Sequence, residues 1–139
     1  MKPLSKYNCS RMIKGAVAVM FDKEGRTLIL LRPATDRWMP RKWALVGGKL
    51  DNGETPEQAL AREVKEETTL IIRSPREFYV SDNGEVLYYI VKDYEGEVCI
   101  DYEHDDFAWV YPEDLTNYDV VSGLGALVWR AREMLTYYA

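Results

Sequence analysis

Apolar residues recur at two different spacings along this chain, and each change of spacing marks a new element. Residues 15–21 (GAVAVMF) and 27–31 (TLILL) are short apolar runs that read as buried strands. Asp22-Lys23-Glu24-Gly25 between them is a turn with glycine at its last position, so the two strands are expected to form a hairpin. Residues 43–46 (WALV) read as a short buried strand that delivers the chain to a glycine-rich loop at Gly47-Gly48. Residues 70–72 and 78–81 are brief β candidates. Asp82-Asn83-Gly84-Glu85 is a hairpin signal leading into 86–91 (VLYYIV), the strongest strand pattern in the chain. Tyr88 and Tyr89 must face opposite ways on a regular strand, one toward core or pocket and one outward. Further on, 94–96 is expected as a turn, 98–100 as an edge segment, 107–111 (FAWVY) as a strand and 112–115 as a helical turn.

Helical spacing occurs twice. In the stretch 122–138, Leu124, Leu127, Val128, Ala131, Leu135 and Tyr138 recur at steps of three, four and seven, which makes a packing stripe. The other helix is marked from its first residue. Thr55 is a candidate N-cap, Pro56 suits the first helical position and Gln58 can complete a capping box. That helix runs to about Glu67 without another Gly or Pro. Strands before and after one strongly specified helix, then a final helix, suggest an α/β domain with a mixed sheet covered on both faces.

The first helix carries its acids on the wrong side for a solvated surface. Taking Glu63 as zero, Glu67 lies near about 40° and Glu66 near about 300°, the same arc as Ala59, Leu60 and Val64. Like charges at these spacings repel, and the nearest cation on the helix, Arg62, cannot neutralise three acids. A divalent cation can, and hard oxygen donors suit Mg²⁺ or Mn²⁺. An E-x-x-E-E pattern alone would also fit an ordinary charged surface, so the flanking residues decide how it is read.

Those flanks carry a longer pattern. Gly48, Glu54, Arg62-Glu63-Val64, Glu66-Glu67 and Leu70 resemble the signature of the Nudix hydrolases, G-x5-E-x7-R-E-U-x-E-E-x-G-U, with U a bulky aliphatic. Eight of its nine specified positions match, and Thr69 stands where the pattern has glycine. The resemblance, which covers this signature and more loosely the strands on both sides, implies an α/β/α sandwich with a mixed sheet; the length suits one domain over residues 1–139, with 1–12 expected as a partly ordered lead-in. It also implies metal ligation by Glu63, Glu66 and Glu67, with Arg62 orienting Glu63 and Glu54 as a supporting acid. The Gly48 carbonyl is a further ligand candidate, because a residue without a side chain allows close approach. Family members differ in their general base: Glu63 is the first candidate, Glu66 the next. Glu103 is the candidate metal-binding or basic residue of the acidic loop 101–106 (DYEHDD), where Asp101, His104, Asp105 and Asp106 compete for any such role. Thr69 in a left-handed cap would carry strain, so replacing it with Gly is expected to stabilise the fold and spare turnover.

Composition sharpens this picture by exclusion. At 139 residues the chain is one domain, and 47% apolar with 29% charged residues is an ordinary globular balance. A net charge of −5 argues against a broad basic nucleic-acid surface, although an RNA 5′ end stays open as a substrate. No apolar run is long enough to span a bilayer, and the first twelve residues lack a signal-peptide core. Cys9 and Cys99 are the only cysteines, which suits reduced thiols and a cytoplasmic protein. His104 is the only histidine, so multi-histidine metal sites are excluded.

One stretch runs against the acidic background. Residues 32–42 (RPATDRWMPRK) hold four basic residues and one acid. Arg32, Arg37 and Arg41, with Lys42, are candidates for gripping substrate phosphate, and Trp38 for stacking on a base. Tyr88 lies 18 residues after the end of the Gly48–Leu70 signature (the Nudix box), near where diadenosine polyphosphate hydrolases carry a tyrosine, and joins the substrate-binding candidates. The function implied is divalent-metal-dependent hydrolysis of a nucleoside diphosphate linked to another moiety: a nucleoside triphosphate, dinucleoside polyphosphate or nucleotide-sugar. The alternative is a nucleotide-binding module that has lost catalysis. A prenyl-diphosphate isomerase is disfavoured, since neither cysteine neighbours the box. A monomer and a homodimer are both compatible with the sequence.

Overall fold

The computed structural model describes residues 12–138. The expected lead-in at 1–12, apart from Met12, lies outside the described residues, as does Cys9; Cys99 is exposed. Strands β1 (Gly15–Met20), β4 (Val46–Lys49), β6 (Arg76–Val80) and β7 (Val86–Val91) form a mixed sheet in the order β4-β1-β7-β6, with β1 and β7 parallel. Strands β2 (Thr27–Leu31), β3 (Trp43–Ala44) and β9 (Asp106–Val110) form a second, antiparallel sheet in the order β3-β2-β9. A ribbon pairs β5 (Ile71–Arg73) with β8 (Asp93–Glu95).

Helices cover both faces, as expected. Alternation along the strands divides the core in two. Ala16, Ala18 and Met20 of β1, Leu28 and Leu30 of β2, and Leu87, Tyr89 and Val91 of β7 pack with Leu60 and Val64 of helix α1 (Pro56–Thr68). Val19, Phe21, Ile29 and Ile90 turn the other way and pack with Leu124, Val128 and Ala131 of helix α2 (Leu124–Tyr138). A short 3-10 helix, Pro112–Asn117, adds Leu115 to that second core. Tyr89 is therefore the core tyrosine and Tyr88 is half-buried on the α2 side.

The structure corrects four local expectations. The turn after β1 forms, with the Asp22 carboxylate accepting from the Arg26 amide at 2.8 Å, but only the bridge Phe21–Thr27 joins the flanking strands. Both edges of β1 are taken by β4 and β7, so β2 diverges into the other sheet and the hairpin does not continue. The run 43–46 divides between β3 and β4, so Gly47 and Gly48 sit within a strand, not in a loop. Residues 94 and 95 belong to β8, with Gly96 alone bending away. Residues 98–100 form no strand; their backbone serves the end of α1 instead, the Cys99 amide donating to the Thr68 carbonyl at 2.9 Å. Helix ends leave carbonyls without internal partners, and this segment supplies them.

Candidate active site

Helix α1 starts and stops as its sequence dictates. The Thr55 hydroxyl accepts from the Gln58 amide at 3.2 Å, and the Gln58 side chain accepts from the Thr55 amide at 2.9 Å. At the far end Thr69 takes the left-handed conformation, φ 68°, its amide donating to the Lys65 carbonyl. Its hydroxyl donates to the Glu97 carbonyl at 2.8 Å, offsetting part of the strain. The phase between these ends puts Glu67 on the buried face beside Ala59, Leu60 and Val64. The Glu63 side chain is 17% exposed and that of Glu66 57% exposed, so the three acids descend from rim to interior.

Two glycines admit them. A Cβ on Gly48 would stand 2.6 Å from the Glu63 carboxylate, so that side chain occupies the space a side chain at position 48 would need. Gly47 has φ 153°, and a Cβ there would meet the Ala16 carbonyl oxygen at 2.3 Å. Its amide donates to the Glu67 carboxylate at 3.2 Å. Burial pushes the Glu67 carboxyl well above the ordinary range, and the neighbouring Glu63 and Asp101 add to that. Asp101 is thus the acid of the loop 101–106 that faces Glu67, and its amide donates to the Glu67 carbonyl at 3.2 Å. Asp101 is also paired with His104 Nδ1 at 2.7 Å, while Glu103 stands exposed.

Arg62 organises the rim. Its Nε donates to Glu54 at 2.7 Å and its Nη2 to the other oxygen of the same carboxylate at 2.9 Å. Nη1 reaches Glu63 at 2.8 Å and Glu66 at 3.3 Å, and Nη2 also donates to the Lys49 carbonyl at 3.0 Å. The Arg62 guanidinium, together with the Asp51 amide, holds the Glu54 carboxyl down at about 2.

Among the described residues, no three His, Cys, Asp or Glu side chains already converge as a metal cage. The donor set nonetheless fits a hard divalent cation. Glu63 and Glu67 face each other under burial, where a cation would relieve the repulsion that helps raise the Glu67 carboxyl, and glycine backbone replaces any side chain that would close the space.

The basic stretch is arranged differently. Arg32 is paired with Asp36 and stands over the Trp38 ring at 5.1 Å. Arg41 is paired with Asp105 at 2.9 Å and Lys42 with Asp119 at 2.6 Å. Arg37 and Trp38 are exposed, the latter at 63%. Among the described residues, none of these side chains hydrogen-bonds to the α1 acids. Tyr88 lies on the sheet face opposite α1. Gly47 and Asp101 are the site residues that sequence reasoning passed over or left undecided. The glycine pair before the box was the available signal for the first; the second depends on how 98–100 folds back on α1.

A family model for the NUDIX domain matches residues 12–135. The chain belongs to the Nudix family. Proteins named nucleoside triphosphatase NudI, from Escherichia coli and Shigella flexneri, are 37% identical over 110 residues, covering 66% of this chain and 78% of the relative. A MutT protein from Methanosarcina mazei shares the fold with TM-score 0.70 at 24% identity, covering 90% of this chain and 96% of that one. A Caenorhabditis elegans Ap4A hydrolase does so with TM-score 0.69 at 24% identity, covering 90% and 100%. As a Nudix hydrolase, this chain acts on phosphoanhydride bonds of nucleoside diphosphates linked to a further moiety. Among the described residues, no helix is long and apolar enough to cross a membrane.

Proposed function

We propose that the chain is a divalent-metal-dependent pyrophosphohydrolase whose substrates are nucleoside triphosphates, acting in the cytoplasm as a monomer or homodimer. The observation that carries this reading is the meeting of Glu63 and Glu67 at Gly47-Gly48, with Arg62 bridging Glu54, Glu63 and Glu66. Kinship to proteins named nucleoside triphosphatase supports the substrate class. Mg²⁺ is the expected ion, with Mn²⁺ as a working substitute, held by Glu63, Glu66 and Glu67 with the Gly48 carbonyl, and by Glu103 if its loop closes inward. When bound, the ion neutralises phosphate oxygens and acidifies a water.

The chain's own residues do the rest. Arg62 fixes one oxygen of Glu63; the other faces the space at Gly48, where it can ligate the ion or take the proton of the attacking water, so Glu63 is the first choice of base and Glu66 the second. Glu54 anchors Arg62 and so sets the position of both acids. Arg37 and Trp38 are the exposed groups of the basic stretch best suited to meet substrate. Arg32 and Arg41 reach a phosphate only by exchanging their present acid partners. Tyr88 offers a half-buried ring for the base.

A nucleotide-binding module without catalysis is the competing reading. It leaves unexplained why three mutually repelling acids share one helix end. A phosphate-release screen over nucleotides, with coupled phosphatase and Mg²⁺ or Mn²⁺, separates the two. Turnover of at least one nucleoside triphosphate is expected, whereas binding without turnover under any metal condition favours the module.

A further inference from the structure

Four strands bring one residue each to a single level of the mixed sheet. Gly47, Val17, Tyr88 and Tyr79 are successive partners across β4, β1, β7 and β6. Adjacent strands lie about 4.8 Å apart, so Tyr88 stands about 10 Å across the sheet from Gly47. β4 is the edge strand of this sheet, so a ribose and its phosphates can run from the Tyr88 face around that edge to the acids at Gly47.

This level is open on the α2 side. Val17 is the one residue of β1 that is not buried, although Val19, two residues on along the same face, is sealed in the α2 core. Tyr88 and Tyr79 are likewise half-buried while Ile90 is sealed. The two tyrosine rings sit 5.8 Å apart at 49°, forming a tilted aromatic shelf. The Tyr79 hydroxyl donates to Asp82 at 3.2 Å, which pins that ring. From α2, Arg130 places its guanidinium over the Tyr79 ring at 4.9 Å. Arg132 on the same helix stacks on Trp129 but also pairs with Glu113 at 3.1 Å. Arg130 has no such acid among the described residues, so its N–H donors, which lie in the guanidinium plane, are available beside the shelf. The opposite end of the row is Gly47, whose amide binds Glu67.

Building on the hydrolase reading, we infer that Tyr88, braced by Tyr79, forms the stacking surface for the substrate base, and that Arg130, seated over the Tyr79 ring, donates to a carbonyl on its edge. Guanidinium carries donors and no acceptor. A base presenting a carbonyl oxygen beside the shelf (guanine, uracil or thymine) satisfies it, whereas the amino group of adenine opposes it. Arg130 is thus a specificity residue and Tyr88 a general affinity residue.

Two measurements on the full chain test this. In the first, kcat/KM is determined on GTP, UTP and ATP for the wild type, Arg130→Ala and Tyr88→Ala. In the second, GMP, UMP and AMP binding is followed by calorimetry, with no chemistry required. The wild type should favour the keto bases. Arg130→Ala, on the exposed side of α2, should lose about tenfold on GTP and UTP through KM, and less than about twofold on ATP. Tyr88→Ala should raise KM about tenfold for all three with kcat little changed. Turnover in which Arg130→Ala leaves the ranking of bases unaltered overturns the base site and spares the hydrolase reading. Keto-selective monophosphate binding without triphosphate turnover does the reverse. Absence of monophosphate binding by the wild type overturns the base site as well.

Discussion

Two loops of this molecule are each pinned by an arginine and an acid, and only one of those arginines reaches further. In the basic stretch Arg32 is paired with Asp36, whose carboxylate also accepts from the Met39 amide at 3.0 Å and the Trp38 amide at 2.8 Å. In the box Arg62 is paired with Glu54, which also accepts from the Asp51 amide at 2.7 Å. Both acids are held down at about 2, Asp36 chiefly by the Met39 amide and then Arg32, Glu54 chiefly by Arg62. Arg32 ends at its acid and a tryptophan ring, whereas Arg62 continues to Glu63 and Glu66. The same local device builds a loop in one place and arranges reactive groups in the other. Counting cations suggested the first as the phosphate-binding element. Following their partners shows three of its four cations already neutralised within the protein.

The two arginines differ most at the acids that Arg62 serves. Glu66→Gln should lower turnover by at least about 10²-fold, as loss of a catalytic carboxylate does; unchanged rates in steady-state kinetics would remove Glu66 from the site. Next come the two glycines. In Gly48→Ala the new methyl meets a flexible carboxylate, so Glu63 should swing aside, costing activity about tenfold while thermal unfolding changes little. In Gly47→Ala it meets backbone of β1, so the expected loss is about 2–3 kcal/mol of stability, read by denaturant unfolding. Equal effects of the two on stability would show that Gly48 does not matter through Glu63.

Much of α1 could be read from its residues because its determinants are local. Thr55, Pro56 and Gln58 specify the start, and the phase of Glu63, Glu66 and Glu67 against Leu60 and Val64 specifies which acid is buried. What escaped depends on partners distant in sequence. Nothing in GAVAVMF says that β4 and β7 will take both its edges and send TLILL to another sheet. Nothing in VCI says that its backbone will satisfy helix carbonyls and carry Asp101 to Glu67. The family resemblance supplied the architecture; the row from Gly47 to Tyr79 became visible only through strand register.

Acid titration reads out the two anchoring carboxylates separately. Each anchoring acid has a folded pKa below its ordinary value, so its contribution to stability is present at neutral pH and lost as pH falls. For Glu54 the window runs from 4.5 down to about 2, and for Asp36 from 3.8 down to about 2. Melting temperature against pH should therefore fall less steeply across those windows in Glu54→Gln and in Asp36→Asn than in the wild type. Only Glu54→Gln should also slow turnover at neutral pH. Acid limbs parallel to the wild type would contradict the ion-pair assignment.

The smallest expected effect is at Thr69. Glycine there relieves a left-handed threonine but forfeits the hydroxyl bond to Glu97, leaving a net gain of no more than about 1 kcal/mol with turnover largely intact. A large loss of activity in Thr69→Gly would mean that the helix end positions the acids more tightly than its geometry indicates.

The central claim is that the acids meeting at Gly47-Gly48 do their chemistry with a divalent cation. Its most direct test is phosphate release from nucleoside triphosphates by wild type and Glu67→Gln, first in excess chelator and then across a Mg²⁺ titration. Turnover should be absent in chelator, return with Mg²⁺ in the wild type, and stay at least about 10²-fold lower in Glu67→Gln at every Mg²⁺ concentration. Full turnover in chelator, or a Glu67→Gln enzyme indistinguishable from wild type, would contradict it.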